Sequence, residues 1–131
     1  MKAHYAAIET ALAALYTTYV VDVPDTPVLP YFVLWGPSGT LPEESTVVGQ
    51  LSTDFDTDVY VTAVAGTAEG VLTMQAAART AMRAVTVTGR HVALTLSDSR
   101  PLMVDRDVIL PNTDRHPVYG VDVYRIQSTP S

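Results

Sequence analysis

The sequence contains no cysteine. This excludes disulfide bonds, a thiol nucleophile and zinc sites with cysteine ligands, and it leaves the redox compartment open. Basic residues are also few, since eight Lys and Arg stand against fourteen Asp and Glu, for a net charge of -6 and a pI near 4.7. Because affinity for nucleic acid comes from clustered Lys and Arg, and no basic run is present, the composition argues against a protein that grips phosphates.

Long apolar runs are missing too, because none reaches the length of about 20 residues that a membrane helix needs. The first sixteen residues, MKAHYAAIETALAALY, combine one lysine with an apolar stretch and so invite comparison with a signal peptide. Glu9 interrupts that stretch and the spacing is amphipathic. We therefore expect a mature, soluble, intracellular chain without a membrane partner.

Charged residues make up only 17% of the 131 residues, whereas 47% are hydrophobic, and the mean hydropathy is +0.17. A chain of this length forms one domain with a real core. The shortage of charge is consistent with surface that is buried between subunits. It is equally consistent with a well-filled core under a surface rich in Thr and Ser, and the composition leaves both interpretations open.

The stretch from residue 58 to 83, DVYVTAVAGTAEGVLTMQAAARTAMR, is typical of a strand that turns into an amphipathic helix. Residues 59–64 alternate with the period of 2 expected of a strand. Thr67 stands where its hydroxyl can cap the helix, and Glu69 places a negative charge at the positive end of the helix dipole. The apolar stripe of the helix consists of Val71, Met74, Ala78, Ala81, Met82 and Val85.

The rest of the chain predicts one more helix, over residues 3–19, and several strands. Pro30 lacks a donor, so the strand around it begins after Pro30 or lies at an edge. In the last strand Val121 and Val123 face one way, while Asp122, Tyr124 and Ile126 face the other. Strands are expected at 28–35, 46–53, 93–96, 102–104 and 118–126, with turns at 54–56 and 88–90, a break at 97–101, a loop at 105–117 and frayed ends at 1–2 and 127–131.

The order of helix, strands, helix and strands, with hairpin-like connections, favours one fold class. We expect a single α+β domain, residues 1–131, in which two helices pack on one face of a mainly antiparallel sheet. Only one crossover from strand to helix to strand is evident, so a regular parallel array is not expected.

Asp54, Asp56 and Asp58 superficially resemble the start of a calcium loop, but the glycine and the glutamate that such a loop needs at its sixth and twelfth positions are missing. On a strand, these three carboxylates share one face, which must be solvated or line a wet channel. Asp105 and Asp107 could serve acid-base chemistry or hold magnesium. A solvated loop is the favoured interpretation of that acidic segment.

No other pattern identifies a reaction centre. The histidines at 4, 91 and 116 lack metal-ligand spacing and are expected at the surface or in loops, and the glycines at 66 and 70 do not form a phosphate-binding motif. Arg79 and Arg83, one helical turn apart, either contact carboxylates of a neighbouring subunit or lie on a solvated face. We therefore expect no catalytic, cofactor-binding or metal-binding residues.

Five segments, taken in order, resemble the tail terminator proteins of long-tailed bacteriophages, in particular those of actinobacterial phages and prophages. The chain departs from that family at Ala68 and Gly70, where the family often has Pro and Gln. The similarity spans most of the chain, including the first helix and the strand at 30–34. The segments are 61–69 (VTAVAGTAE), 86–90 (TVTGR), 100–101 (RP), 105–107 (DRD) and 118–126 (VYGVDVYRI).

The resemblance implies a non-enzymatic virion protein, assembled in the host cytoplasm, that forms a ring, typically a hexamer. Such a ring binds the last ring of the tail tube protein, ends its polymerisation and offers a surface to the head-tail connector protein. DNA passes through without specific binding, and an acidic wall keeps phosphates from sticking. We expect the wall to include Asp54, Asp56 and Asp58, or Asp105 and Asp107, with Arg79 and Arg83 at the subunit interface. The alternatives are another neck or head-completion protein and, from a different class, a small metal-dependent enzyme or ligand-binding domain.

Overall fold

Two helices pack on one face of a sheet that contains six strands in the part of the chain that the structure describes. This computed structural model describes residues 2–24, 27–36, 55–108, 110 and 115–130. The expected α+β class is confirmed. In chain order the elements are α1 (Lys2–Ala13), β1 (Thr17–Val20), β2 (Tyr31–Trp35), β3 (Phe55–Ala65), α2 (Ala68–Arg83), β4 (Arg90–Ser99), β5 (Met103–Val104) and β6 (Val118–Pro130).

The strands follow the order β1-β2-β3-β6-β4, and β5 pairs with β6. All pairs are antiparallel except β1 with β2, so the sheet is mainly antiparallel as predicted. The longest pairing joins β3 to β6, from Phe55 opposite Ser128 to Ala65 opposite Val118. These two strands form the centre of the sheet.

The core lies between the sheet and the helices. From β3, Val59, Val61 and Ala63 point towards the helices and are almost inaccessible to water. The predicted helical stripe is confirmed at four positions of α2, and Val85 is buried just after the helix, whereas Ala81 is only partly buried and is not part of the core. The core side chains of the helices are Tyr5, Ile8 and Leu12 from α1 and Val71, Met74, Ala78 and Met82 from α2.

Helix α2 begins where the sequence predicts. Thr67 has extended backbone angles, and its hydroxyl accepts a hydrogen bond from the Gly70 amide at 3.0 Å. Glu69 lies in the first turn, where its charge complements the helix dipole. The Thr67 cap therefore fixes the start of the helix.

The N-terminal helix is shorter than predicted. It ends at Ala13, and residues 17–20 form β1 beside β2. The predicted helix extended to Tyr19, but Leu15 is exposed and Tyr19 is part of the strand. Residues 17–20 form a strand and not a helix because they can pair with β2. The β-branched and aromatic residues of TTYV suit a strand, and β2 supplies hydrogen-bond partners for their backbone groups.

Three other boundaries differ from prediction. Phe55 and Asp56 belong to β3 and not to a turn. Strand β4 continues through the expected break to Ser99, with a bulge between Leu96 and Asp98. Residues 127–130 continue β6 and are not frayed. Each extension gains hydrogen bonds from a neighbouring strand. The strand start after Pro30, the strand at 103–104 and the two faces of β6 are confirmed. The strand predicted at 46–53 lies outside the described residues.

Among the described residues, no helix is long and apolar enough to cross a membrane.

Val21, directly after β1, is a β-branched residue at a φ of 64°. Side chains branched at Cβ are strained in this left-handed region, whereas asparagine tolerates it. We expect Val21→Asn to raise the free energy of unfolding by about 1 kcal/mol, measured by urea denaturation. Val28→Asn is the control, because Val28 is also exposed but does not have a positive φ. An equal gain in both variants would show that loss of an exposed apolar side chain, not relief of backbone strain, is responsible.

Candidate functional site

A polar cluster lies between α2 and the sheet. The guanidinium of Arg79 donates from Nε to Oδ2 of Asp122 at 3.0 Å and from Nη2 to Oδ1 at 3.1 Å. Ser99 accepts a hydrogen bond from Arg79 and donates one to Asp122 at 2.6 Å, and Gln75 donates to the same carboxylate at 3.4 Å. The cluster therefore joins α2, β4 and β6.

The carboxylate of Asp122 is deeply buried, since its side chain is 2% exposed, whereas that of Arg79 is 36% exposed. The hydrogen bonds to Asp122 raise the pKa of Arg79, and the charge of the carboxylate adds to the effect. Burial raises the pKa of Tyr124, the next residue on the same face of β6 as the cluster, and Asp122 raises it further. A buried charge of this kind requires a partner, so the primary role of Arg79 is to hold Asp122.

Arg79 and Arg83 thus differ in their surroundings, which the sequence interpretation did not foresee. Arg79 is bound within its own subunit, and neither the subunit-interface nor the solvated-face interpretation included that ion pair. Arg83 is exposed at the last turn of α2. Both line a cavity of about 390 Å³ between α2 and β4, together with Leu94, Thr95, Leu96 and Tyr124. Contact of either arginine with a neighbouring subunit stays a prediction.

Asp56 and Asp58 lie on the face of β3 that points away from the helices, as their spacing predicts. Arg125 of β6 donates to both carboxylate oxygens of Asp56, with Nε to Oδ1 at 2.7 Å. Asp58 lies opposite Arg125 in the strand register. One arginine therefore offsets part of the negative charge of this strand end. Asp54 lies outside the described residues.

The hydrogen bond from Arg125 lowers the pKa of Asp56. We expect Arg125→Gln to return that pKa towards the ordinary value for aspartate, as measured by NMR titration of the carboxyl carbon. Because the pKa is lowered, any stability that the pair provides is present above the ordinary value and is lost as the pH falls through the lowered one. Arg106→Gln is the control, and an Asp56 titration unchanged by Arg125→Gln would contradict the pairing.

Asp105 and Asp107 follow β5 at the other end of the sheet. The Asp105 amide donates to the Pro117 carbonyl at 2.9 Å, and the Asp105 side chain accepts from the Asp107 amide at 3.1 Å. The Asp105 charge also raises the pKa of Tyr31, an effect second to burial of that tyrosine. Pairing places Asp56 about nine residues along the sheet from this loop, or roughly 30 Å. The two acidic groups predicted for the channel wall are therefore separate sites.

The described residues contain no group of three or more His, Asp or Glu side chains that could hold a metal ion. His116 lies in a loop, where Nδ1 is 2.6 Å from the Val108 carbonyl, and His91 is exposed on β4. The surface prediction for His4 is wrong: it is 2% exposed, and its Nε2 is 2.8 Å from Oγ of Ser128. Arg90 donates to the same hydroxyl at 2.6 Å, so this cluster fastens α1 to β6 and β4.

The start of α2 borders a cavity of about 480 Å³ lined in part by Tyr16, Leu29 and Pro30. The helix N-terminus would suit a phosphate. However, Glu69 also lines this cavity, and the Gly70 amide already donates to Thr67. The negative charge of Glu69 repels anions, and the Gly70 amide is not available to bind them. The site therefore suits an anion poorly, and the glycines at 66 and 70 do not form a phosphate-binding motif either.

The sheet face opposite the helices carries aromatic side chains. Trp35 stacks beside Tyr60 with ring centroids 4.3 Å apart, and its indole donates to the Thr62 hydroxyl at 2.9 Å. The guanidinium of Arg100 lies 5.6 Å from the centre of the Tyr60 ring. These side chains are half-buried except Arg100, which is exposed. Among the described residues, this face of the sheet contains no nucleophile paired with a base.

No protein-family model and no curated protein matches the chain.

Proposed function

We propose that this protein is a tail terminator of a long-tailed bacteriophage: a structural protein of the virion tail, not an enzyme, that forms a ring, caps the tail tube and provides the surface for head-tail joining. The observation that carries the proposal is the resemblance of five segments in order along the chain. Two of them, residues 61–69 and 118–126, belong to β3 with the start of α2 and to β6. They lie next to each other at the centre of the sheet.

The net charge of -6 also supports the proposal, because DNA passes through the ring without binding. The two acidic groups proposed for the channel wall differ in their ion pairs. Asp105 and Asp107 have no ion pair among the described residues, whereas Asp56 is paired with Arg125. The described members of the two groups have the same net charge, since Arg106 lies between Asp105 and Asp107 as Arg125 lies beside Asp56, but the carboxylates of the loop are not held in an ion pair with a described residue.

The enzyme alternative requires carboxylates and a histidine to meet around a metal. No such cluster exists among the described residues, so no specific observation favours it. Another neck protein would share size, charge and fold class with a tail terminator. The two differ in the partner that they bind, which makes binding the decisive experiment.

The test combines light scattering with electron microscopy, using the tail tube protein and the connector protein of the same phage. We expect the chain to reach the mass of a ring, a hexamer being the typical case, in the presence of tail tube protein, and to stop tube growth. Binding to the connector protein alone would favour another neck protein. Failure to bind either protein would contradict the proposal.

The wall assignment has its own test once a ring is imaged. We expect the loop with Asp105 and Asp107 to face the channel, and Asp105→Asn combined with Asp107→Asn to increase retention of DNA by the ring. Asp56→Asn combined with Asp58→Asn is the matched control, because it removes the same charge from the other end of the sheet. If the loop lies on the outer rim of the ring, the assignment of Asp105 and Asp107 to the channel wall is wrong.

A further inference from the structure

Exposed apolar side chains collect at the two opposite edges of the sheet. Eight large hydrophobic residues are exposed in the described part of the chain, and only Leu72, on α2, lies away from an edge. Three surround β1 and form the β1 edge: Leu15, Val21 and Val28. Four lie in β4, in β5 or four residues after β5 and form the β4–β5 edge: Leu96, Met103, Val104 and Val108.

Both edges also have strands with an unpaired side. Among the described strands, β1 pairs only with β2, and β4 and β5 pair only with β6. The ten residues of β4 include neither lysine nor proline, the usual means by which an edge strand avoids another chain. Its bulge lies towards the C-terminal end, between Leu96 and Asp98, so most of the strand remains regular.

The charges near the two edges are complementary. Asp22 is exposed just beyond β1, and Glu9 is exposed on α1, which packs against β1. On the other side the segment 83–108 contains four arginines (83, 90, 100 and 106) and three aspartates (98, 105 and 107), so its net charge is +1. Arg83 is exposed at the end of α2, above a groove that includes Leu94 and Leu96 of β4. An acidic edge and a groove with an arginine at its rim attract each other, whereas two copies of the same edge do not.

Val21 supplies an independent observation at the β1 edge. Its backbone is in the left-handed region, which is unfavourable for a β-branched residue, and its side chain is 38% exposed. Strain of this kind persists where the surroundings or the function require it. Here the Val21 amide donates to the Leu34 carbonyl at 2.8 Å and the Asp22 amide donates to the Val20 carbonyl at 2.6 Å, so the turn holds this backbone conformation and leaves an apolar side chain exposed at the β1 edge.

We propose that the β4–β5 edge of one subunit docks on the β1 edge of a second copy of this chain. Because the two surfaces are different, the contact is heterologous. A docked pair still has one unused β1 edge and one unused β4–β5 edge, and repetition of the contact gives a ring if the rotation closes. The edges are four strand spacings apart, or roughly 19 Å, so one subunit can contact two neighbours at once. This docking deepens the proposed function and rests on it for closure of the ring.

The absence of cysteine permits a direct test, because introduced thiols are the only ones in the chain. Val28→Cys marks the β1 edge and Met103→Cys marks the β4–β5 edge, both at exposed side chains. A flexible bismaleimide is added with and without tail tube protein. We expect the double variant to give a ladder of linked subunits, and an equal mixture of the two single variants to give dimers.

Each single variant alone is expected to stay monomeric on a denaturing gel, as is Leu72→Cys, the control on α2. Dimers from one single variant as abundant as those from the mixture would indicate a symmetric contact and overturn the proposal. Absence of linked species under both conditions would overturn it as well. If cross-linked ladders form but the protein does not bind tail tube protein, the docking of the two edges is supported and the proposed function is contradicted. If the protein caps the tube but no ladder forms, the proposed function is supported and the docking is contradicted.

Leu96→Glu is the second variant. It places a charge in the apolar contact, so we expect subunit association measured by light scattering to weaken about 30-fold or more. Leu72→Glu makes the same change away from both edges and is expected to leave association unaltered. Thermal unfolding of the two variants verifies that both remain folded. Equal association of Leu96→Glu and the unchanged protein would contradict the assigned edge.

Discussion

Arg79→Ala is expected to lower the free energy of unfolding by about 3 kcal/mol. The substitution leaves the carboxylate of Asp122 buried without its bidentate partner, and removal of one member of a buried ion pair typically costs 3–5 kcal/mol. The estimate is at the lower end because about a third of the Arg79 side chain is exposed, so solvent screens the pair. Urea denaturation at neutral pH measures the loss.

Arg83→Ala is the matched control, since it removes the same side chain one turn later on α2 without breaking an ion pair recorded among the described residues. It is expected to change the free energy of unfolding by less than about 0.5 kcal/mol. Equal effects of the two variants would show that Asp122 does not depend on Arg79. This difference between the two arginines also determines which variant can test the predicted subunit interface. Arg83→Glu can test it, whereas Arg79→Glu would destabilise the subunit itself.

Gly120→Ala is expected to lower the free energy of unfolding by about 2 kcal/mol, because a Cβ at this position of β6 would meet three side chains. It would lie 2.6 Å from Nε2 of Gln75, 2.7 Å from Leu102 and 3.2 Å from Val71. Such overpacking typically costs 1–3 kcal/mol. Movement of Gln75 would also disturb its hydrogen bond to Asp122. The loss is measured by the same denaturation experiment.

Gly66→Ala is the comparison, because its nearest atom would be 3.6 Å from the added carbon, an ordinary contact. Neither glycine has a positive φ, so backbone strain does not enter the comparison. We expect Gly66→Ala to be neutral within about 0.5 kcal/mol. A loss as large as that of Gly120→Ala would refute close packing of α2 on β6 as the reason for Gly120.

The stretch at 58–83 was predictable because its signals are local and agree with each other. The alternation of β3, the Thr67 cap and the stripe of α2 depend on neighbouring residues, and all are confirmed. The N-terminal region was harder, because residues 14–19 continue a helical spacing, yet residues 17–20 pair with β2. That choice depends on a strand more than ten residues later, which local spacing does not reveal.

The candidate site was less predictable for the same reason. Arg79 and Asp122 are 43 residues apart in sequence, and no spacing rule connects them. A signal was nevertheless present: the alternation placed Asp122 on the same face as Tyr124 and Ile126. An acidic residue on a core-facing position needs a cationic partner. His4 was missed because a single histidine on a helix gives no indication that Ser128 lies beside it.

The central pairing of β3 with β6 determines when this chain can fold. The closest partners, Ala65 and Val118, are 53 positions apart, and the farthest, Phe55 and Ser128, are 73 apart. Closing loops of this length is slow compared with forming a local hairpin. Until β6 has been synthesised, β3 can pair with β2 alone, and its other edge has no partner strand. The centre of the sheet therefore closes only after residues 118–130 have been synthesised, when all the other elements are already present.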